Sequence, residues 1–272
     1  MATTSELADE FAAAFVARRL TTTPSSRDPH FDLDAAYAVA GDLVQRRRAA
    51  GHTPVGLKVG YANKAVWRAL KLDTLVWAPM YDDTVSDAHG GRAAVSIGRM
   101  LAPKIEPEIV LALARPVPAG LTDAAAVLEH VAWIALGFEI IDCPYADWKF
   151  QPADFVAAAG LHAALVVGPP MQVTPESLPG LVEGLAGCTV TLARNGATVA
   201  TGSGRNSLRS PALCVGELAS ALAARHAAAA LAPGALVSSG TLTDSQPLAV
   251  GETWLAHVDG LDVADLTLRI DA

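Results

Sequence analysis

The chain has 272 residues, 51% of them hydrophobic and 18% charged, with a formal net charge of −8. This much apolar material closes one large core, or at most two modest ones, and excludes disorder as the default. The only basic cluster, Arg46, Arg47 and Arg48, reads as the end of a helix, so nucleic acid is not an expected partner.

No run approaches the roughly 18 to 20 uninterrupted apolar residues that span a bilayer. Met1 to Leu20 carries Glu6, Asp9 and Glu10 where a secretory leader would be basic and then apolar. No membrane partner is expected. Cys143, Cys188 and Cys214 are odd in number and form no Cys-x-x-Cys pair, which encodes neither a disulfide framework nor a zinc ribbon and fits a reducing, cytoplasmic setting.

Two amphipathic stretches open the chain. Ser5 to Arg19 aligns Leu7, Phe11 and Phe15, and Leu33 to Ala50 aligns Ala36, Val39, Ala40, Leu43 and Val44, so both predict helices. The second closes on three arginines, Gly51 and Pro54, a cation-rich last turn with a glycine stop. From Val55 the texture becomes β-rich, with strands expected at Val55 to Val59, Val95 to Ile97, Pro103 to Ala114 and Ala132 to Cys143. Helices are expected at Asp123 to His130, Glu176 to Ala186 and the alanine-dense Val215 to Leu231. Strands near Ala235 to Ser239, Thr253 to Val258 and Val263 to Ile270 close the chain. No repeat, linker or composition break divides it, which predicts a single catalytic domain over 1–272 with 1–54 as a helical N-terminal cap.

Within Pro103-Lys-Ile-Glu106-Pro-Glu108-Ile, two carboxylates at i and i+2 leave the same face of a strand, roughly 7 Å apart. A third, Glu139, interrupts the apolar run Val131 to Asp142. Like charges in apolar surroundings repel and lose hydration unless something compensates them. One divalent cation shared by Glu106, Glu108 and Glu139 would do so, and an all-oxygen set favours Mg²⁺ or Mn²⁺ over zinc. The alternative is a solvated Glu106/Glu108 face, with Glu139 paired to a Lys or Arg from elsewhere. Asp142, at an odd offset from Glu139, points to the opposite strand face and is expected to support the site without being a ligand.

Lys58 is a lone cation in Val55-Gly-Leu-Lys58-Val-Gly. It reads either as an edge-strand lysine facing water or as a proton carrier whose pKa a neighbouring metal would depress. Gly202-x-Gly204 lacks the third glycine of a dinucleotide loop, since Ser207 stands there, and no acidic residue about twenty positions on completes a ribose contact.

Gly56-Leu-Lys58-Val-Gly, Pro103-Lys-Ile-Glu106-Pro-Glu108-Ile and Gly137-Phe-Glu139-Ile-Ile-Asp142 stand in this order. They resemble the signatures of the 2-keto-4-pentenoate hydratase and 4-oxalocrotonate decarboxylase family, in the fumarylacetoacetate hydrolase superfamily. The similarity continues through Gly202 to Pro211 and Ser239-Gly240-Thr241-Leu-Thr243, and so spans nearly the whole chain. The resemblance implies an α+β fold built on a mixed β-roll. It also implies a metal on Glu106, Glu108 and Glu139, Lys58 near the substrate, Gly240 and Thr241 at its carboxylate end, and a homo-oligomer.

Two stretches depart from the family's pattern: Asp73 to Met80, where Pro-x-x-Gly is missing, and Val156-Ala-Ala-Ala-Gly-Leu-His162-Ala, where a more polar sequence is usual. His162 stands at a position that is commonly small and polar, so it is expected either to contact substrate and move protons or to have no catalytic role. The implied reaction is hydration of a 2-hydroxy-2,4-dienoate. Carbon–carbon hydrolysis of an acylpyruvate and decarboxylation of a 2-oxo acid use the same enolate, and Ala159 stands where hydrolase members often carry a lysine. A non-catalytic scaffold is the reading from another class.

Overall fold

A computed structural model describes residues 2–227 and 231–272. The first helix, α1 (Thr4–Ala17), begins at a capping box in which Thr3 Oγ1 accepts from the Glu6 N–H and the Glu6 carboxylate accepts from the Thr3 N–H. It buries Leu7, Phe11 and Ala14. A short α2 (Pro24–Arg27) follows, then α3 (Leu33–Ala49), whose N-cap Asp32 accepts from the Ala35 N–H. Helices α1 and α3 pack together.

The remainder is built on two sheets. The first half of the chain contributes β1 (Pro54–Gly60), α4 (Lys64–Leu70), β2 (Val76–Tyr81), β3 (Val85–Asp87), β4 (Arg92–Ser96), β5 (Pro103–Leu113), α5 (Ala124–Leu128) and β6 (Val131–Asp142). The second half adds α6 (Pro152–Ala157), β7 (His162–Val167), β8 (Met171–Gln172), α7 (Leu178–Gly187), β9 (Thr189–Arg194), β10 (Ala197–Ser203) and α8 (Pro211–Ala224). Four short strands end the chain: β11 (Leu236–Ser238), β12 (Gln246–Pro247), β13 (Thr253–Asp259) and β14 (Leu266–Asp271).

The larger sheet runs β2-β1-β11-β5-β6-β7-β3, with β12 on β5 and β8 on β6, and the smaller runs β10-β9-β13-β14-β4. Pairings β1/β11, β3/β7 and β4/β14 are parallel and the others antiparallel. The architecture is therefore the mixed α+β arrangement expected. At its centre β5 and β6 are buried on both faces, which is why they read as long apolar runs rather than alternating ones.

Register defines one face of the larger sheet. Lys58 stands opposite Ser238, Ser238 opposite Val110 and Val110 opposite Ala135; four residues along, Glu106 stands opposite Glu139, and Glu139 opposite Leu165. Residues directly opposite in a ladder share a face. Lysine and glutamates thus extend the same surface on which Met80, Val110, Ala135, Leu165 and Val167 form an apolar cluster.

Several boundaries differ from expectation. The expected helix over Val215 to Leu231 is α8, which starts earlier at Pro211 and ends at Ala224; residues 228–230 of that stretch lie outside the described residues. The strand expected at Val95 to Ile97 runs Arg92–Ser96. Strands β2 and β7 and the hairpin β9/β10 were not anticipated. The hairpin did carry a signal, Asn195-Gly196, both at positive φ as its turn requires.

Candidate metal centre and active site

The three glutamates converge. Each offers a carboxylate oxygen within 4.8 Å of the other two, Glu108 and Glu139 being wholly buried and Glu106 partly exposed. Glu106 and Glu108 share a face by strand period, and the β5/β6 register places Glu139 directly across from Glu106. The adjoining position opposite Glu108 is Gly137, whose missing side chain makes way for the Val110 methyl: a Cβ there would lie 2.6 Å from Val110 Cγ2.

Glu108 is held by Ser238 Oγ at 2.5 Å and by the Gly240 N–H at 2.9 Å, both donating to Oε2, while Oε1 is buried with no hydrogen-bond partner among the described residues. An orphaned carboxylate oxygen facing two other carboxylates suits a hard divalent cation. The residues present therefore fit such an ion.

Lys58 is not an edge-strand lysine. Strand β1 is flanked by β2 and β11, and the side chain is 2% exposed. Its Nζ donates to the Gly160 carbonyl at 3.1 Å and lies 3.0 Å from Glu139 Oε2, an ion pair whose angle falls outside hydrogen-bond geometry. Glu139 is thus both paired to a distant lysine and part of the acidic cluster; the two sequence readings of it coexist.

Burial pushes the Glu106 carboxyl up to about 7, against the pull of Lys58, and pushes Glu108 well above the usual carboxylate range with the help of its two neighbours. Glu139 is held below its ordinary value, because Lys58 and the His162 hydrogen bond together outweigh burial. Burial acts to lower the Lys58 ammonium, but Glu139, Glu106 and Glu108 more than offset it, so its net shift is upward. Those anions set its field in the metal-free protein, whereas the expected depression of Lys58 is one that a bound cation would cause.

His162 opens β7 behind Glu139. Its Nδ1 lies 2.9 Å from Glu139 Oε1 and its Nε2 2.9 Å from Thr84 Oγ1, so both ring nitrogens are engaged. It does not line the cavity described next. Asp142 accepts from the Leu101 and Ala102 N–H groups at 2.7 to 3.0 Å and pins the turn that leads into β5.

A cavity of about 300 Å³ opens beside the cluster, lined by Lys58 and Glu106 on one side and by Gly240 and Thr241 on another. The Gly240 amide is spent on Glu108, and Thr241 Oγ1 donates to the Thr243 carbonyl at 2.8 Å. Both residues reach the site, but these donors are committed within the protein.

Sequence reasoning missed Ser238, Thr84 and the aromatic lining of Tyr61, Trp148, Phe150 and Phe155. Ser238 carries no local signal, since only the antiparallel pairing of β11 with β5, Ser238 opposite Val110, makes it a neighbour of Glu108. Trp148, Phe150 and Phe155 come from the segment Tyr145 to Phe155, dense in aromatics, and that density was the available clue.

Residues 79–268 match the family described as fumarylacetoacetate (FAA) hydrolase C-terminal. The chain is 29% identical over 218 residues to a 2-hydroxypent-2,4-dienoate hydratase of Pseudomonas putida, covering 80% of this chain and 95% of that one. It is 27% identical over 266 residues to a 2-keto-4-pentenoate hydratase of Burkholderia vietnamiensis strain G4, covering 94% and 97%. Among solved structures it resembles 4-oxalocrotonate decarboxylase from Pseudomonas putida G7 complexed with magnesium and adipate. That match has a TM-score of 0.85 at 23% identity, over 97% of this chain and 95% of that one, a likeness of fold.

Proposed function

Because this chain belongs to the fumarylacetoacetate hydrolase family, we propose that it is a divalent-metal-dependent hydratase of 2-hydroxy-2,4-dienoate or 2-oxo-enoate acids. The observation that carries the reading is the convergence of Glu106, Glu108 and Glu139, with Lys58 on Glu139, beside a cavity sized for a small acid. The hydratase names of the relatives covering most of the chain support the same reaction.

Glu106, Glu108 and Glu139 would hold the ion, for which Mg²⁺ or Mn²⁺ suits an all-oxygen set. When bound it supplies Lewis-acid stabilisation of the charge that develops on the substrate's 2-oxygen. Lys58 remains a cation at neutral pH and has three hydrogens for two partners, so one is free to meet a substrate oxygen in the cavity it lines. It therefore binds the acid and carries the proton exchanged during enolisation. His162 and Thr84 fix the Glu139 carboxylate. Ser238 and the Gly240 amide do the same for Glu108. The rings of Tyr61, Phe150 and Phe155 keep bulk water from the reacting chain. Overall the dienol takes up a proton at its far end and water at the carbon two positions from the carbonyl, giving a 4-hydroxy-2-oxo acid. A single catalytic domain over 1–272 with residues 1–54 as its cap, assembling as a homo-oligomer, belongs to the same proposal.

The test is loss of the dienol absorbance of 2-hydroxypenta-2,4-dienoate with formation of 4-hydroxy-2-oxopentanoate, measured with Mg²⁺ or Mn²⁺ and after chelation. Turnover that requires the ion supports the reading. Turnover indifferent to chelation, or release of CO₂ or pyruvate instead of hydration, overturns it.

A further inference from the structure

We propose that the cavity selects an acid whose tail is uncharged and apolar and rejects one carrying a second carboxylate, with Trp148 and Phe150 as the selecting residues. The inference rests on the function proposed above, since it concerns the part of the same substrate that lies away from Glu106.

An arc of rings bounds the cavity. It starts at Lys58, whose Nζ is 5.0 Å from the Phe155 ring centroid, and continues through Phe150 at 6.3 Å from Phe155 and Trp148 at 6.4 Å from Phe150. Tyr61 adds an edge contact to Phe155 at 5.4 Å. Leu161, Ile141 and Val59 complete the apolar lining.

Cations are scarce. Lys58 is the one basic residue among those lining the cavity, and Glu139 and Gly160 already engage it. Lys104 is not a lining residue, and its ammonium lies 3.9 Å over the Trp148 ring, where the face of the indole attracts it. Lys149, next along the chain, is exposed and paired with Asp147 at 3.4 Å.

The remaining polar lining is neutral, Tyr61, Asn63, Asn206, Thr241 and Ser245, and part of it is committed within the protein. Asn206 Nδ2 donates to the Leu242 carbonyl at 2.7 Å, Asn63 Oδ1 accepts from Ala65 at 2.9 Å, and the Thr241 hydroxyl is turned to Thr243. A distal carboxylate would lose its hydration against aromatic faces and find no cation in exchange. An alkyl or aryl tail would lose nothing and bury its surface.

The backbone that presents Trp148 is strained to do so. Asp147 and Trp148 both sit at φ 56, a left-handed conformation that residues with a Cβ adopt at a cost, and here two do so in succession. Such strain persists where the surroundings over-determine it, and its effect here is to bring an indole to the cavity wall.

The test is binding to the Mg²⁺-loaded protein of two unreactive acids that differ only at the tail, 2-oxohexanoate and 2-oxoadipate, by calorimetry. The neutral acid should bind tighter by about 30-fold or more. Placing a cation in the wall, by Trp148→Lys and separately by Phe150→Lys, should bring the ratio toward unity by strengthening 2-oxoadipate. Equal or reversed affinities, no binding of either acid, or a ratio unmoved in both variants would overturn the proposal. Turnover is scored separately with dienoates of both kinds. The expected binding ratio without hydration of any dienoate would count against the hydratase reading and leave the selectivity standing.

Discussion

Glu106 and Glu139 face one another directly across the β5/β6 ladder, so two like charges occupy the position where cross-strand partners approach most closely. Among the described residues Glu106 has no ion pair of its own, since Lys58 sits on Glu139 and only pulls on Glu106 from a distance. Replacing Glu106 with Gln should therefore weaken Mg²⁺ binding by at least about 10- to 100-fold, with activity falling in parallel. Unchanged metal content and rate in that variant would sink the assignment of the three glutamates.

Metal binding should release protons near neutral pH. In the metal-free protein burial holds the Glu106 carboxyl at about 7 and Glu108 well above the usual carboxylate range, so both carry proton occupancy that an ion must displace. Protons win at lower pH, so affinity should rise with pH through about 7. Calorimetry in buffers of different ionisation enthalpy reads the release directly. A pH-independent affinity from about pH 6 to 8, with no proton release, is the result that contradicts it.

Lys58→Met should lower turnover by on the order of 10²-fold, the usual scale for losing a proton carrier. It should also destabilise the metal-free protein by about 3 to 5 kcal/mol, because it strips a buried carboxylate of its cation. Added Mg²⁺ should restore part of that stability and none of the rate. Thermal melts with and without the ion, beside a pH–rate profile, separate the two roles.

His162→Leu should act through the metal. With Glu139 no longer held at Oε1, affinity for the ion should drop by about 10- to 100-fold, and saturating metal should recover most of the activity. His162→Gln should lose less. A rate that stays low at saturating metal would return His162 to the chemistry itself.

Gly160 sits at φ +66, and a Cβ on it would lie 2.5 Å from Ala78 Cβ and 3.0 Å from Lys58 Cδ. Gly160→Ala should cost about 1 kcal/mol or more of stability and displace Lys58, lowering kcat. Activity and melting temperature both at the parent value would show that Lys58 has room to move.

The sequence by itself determined that Glu106 and Glu108 share a face, since a strand's period of two is a local property that needs no partner. It determined the long buried strands β5 and β6, whose apolar runs admit little else, and through its motif order the family. Asp142 pointed away from the cluster for the same reason of parity, and it serves the turn at Leu101 and Ala102.

Only the tertiary structure decided which residues surround the glutamates. Lys58 and Ser238 meet them because β11, about 180 residues after β1, pairs in parallel with β1 and antiparallel with β5, and no local pattern encodes such a register. His162 became a partner of Glu139 because β7 lies beside β6 with a register shift at Ile140/Ile141. The upward shift of Lys58 follows from the same assembly: three carboxylates from two other strands set its field, and their distances exist only in the folded sheet.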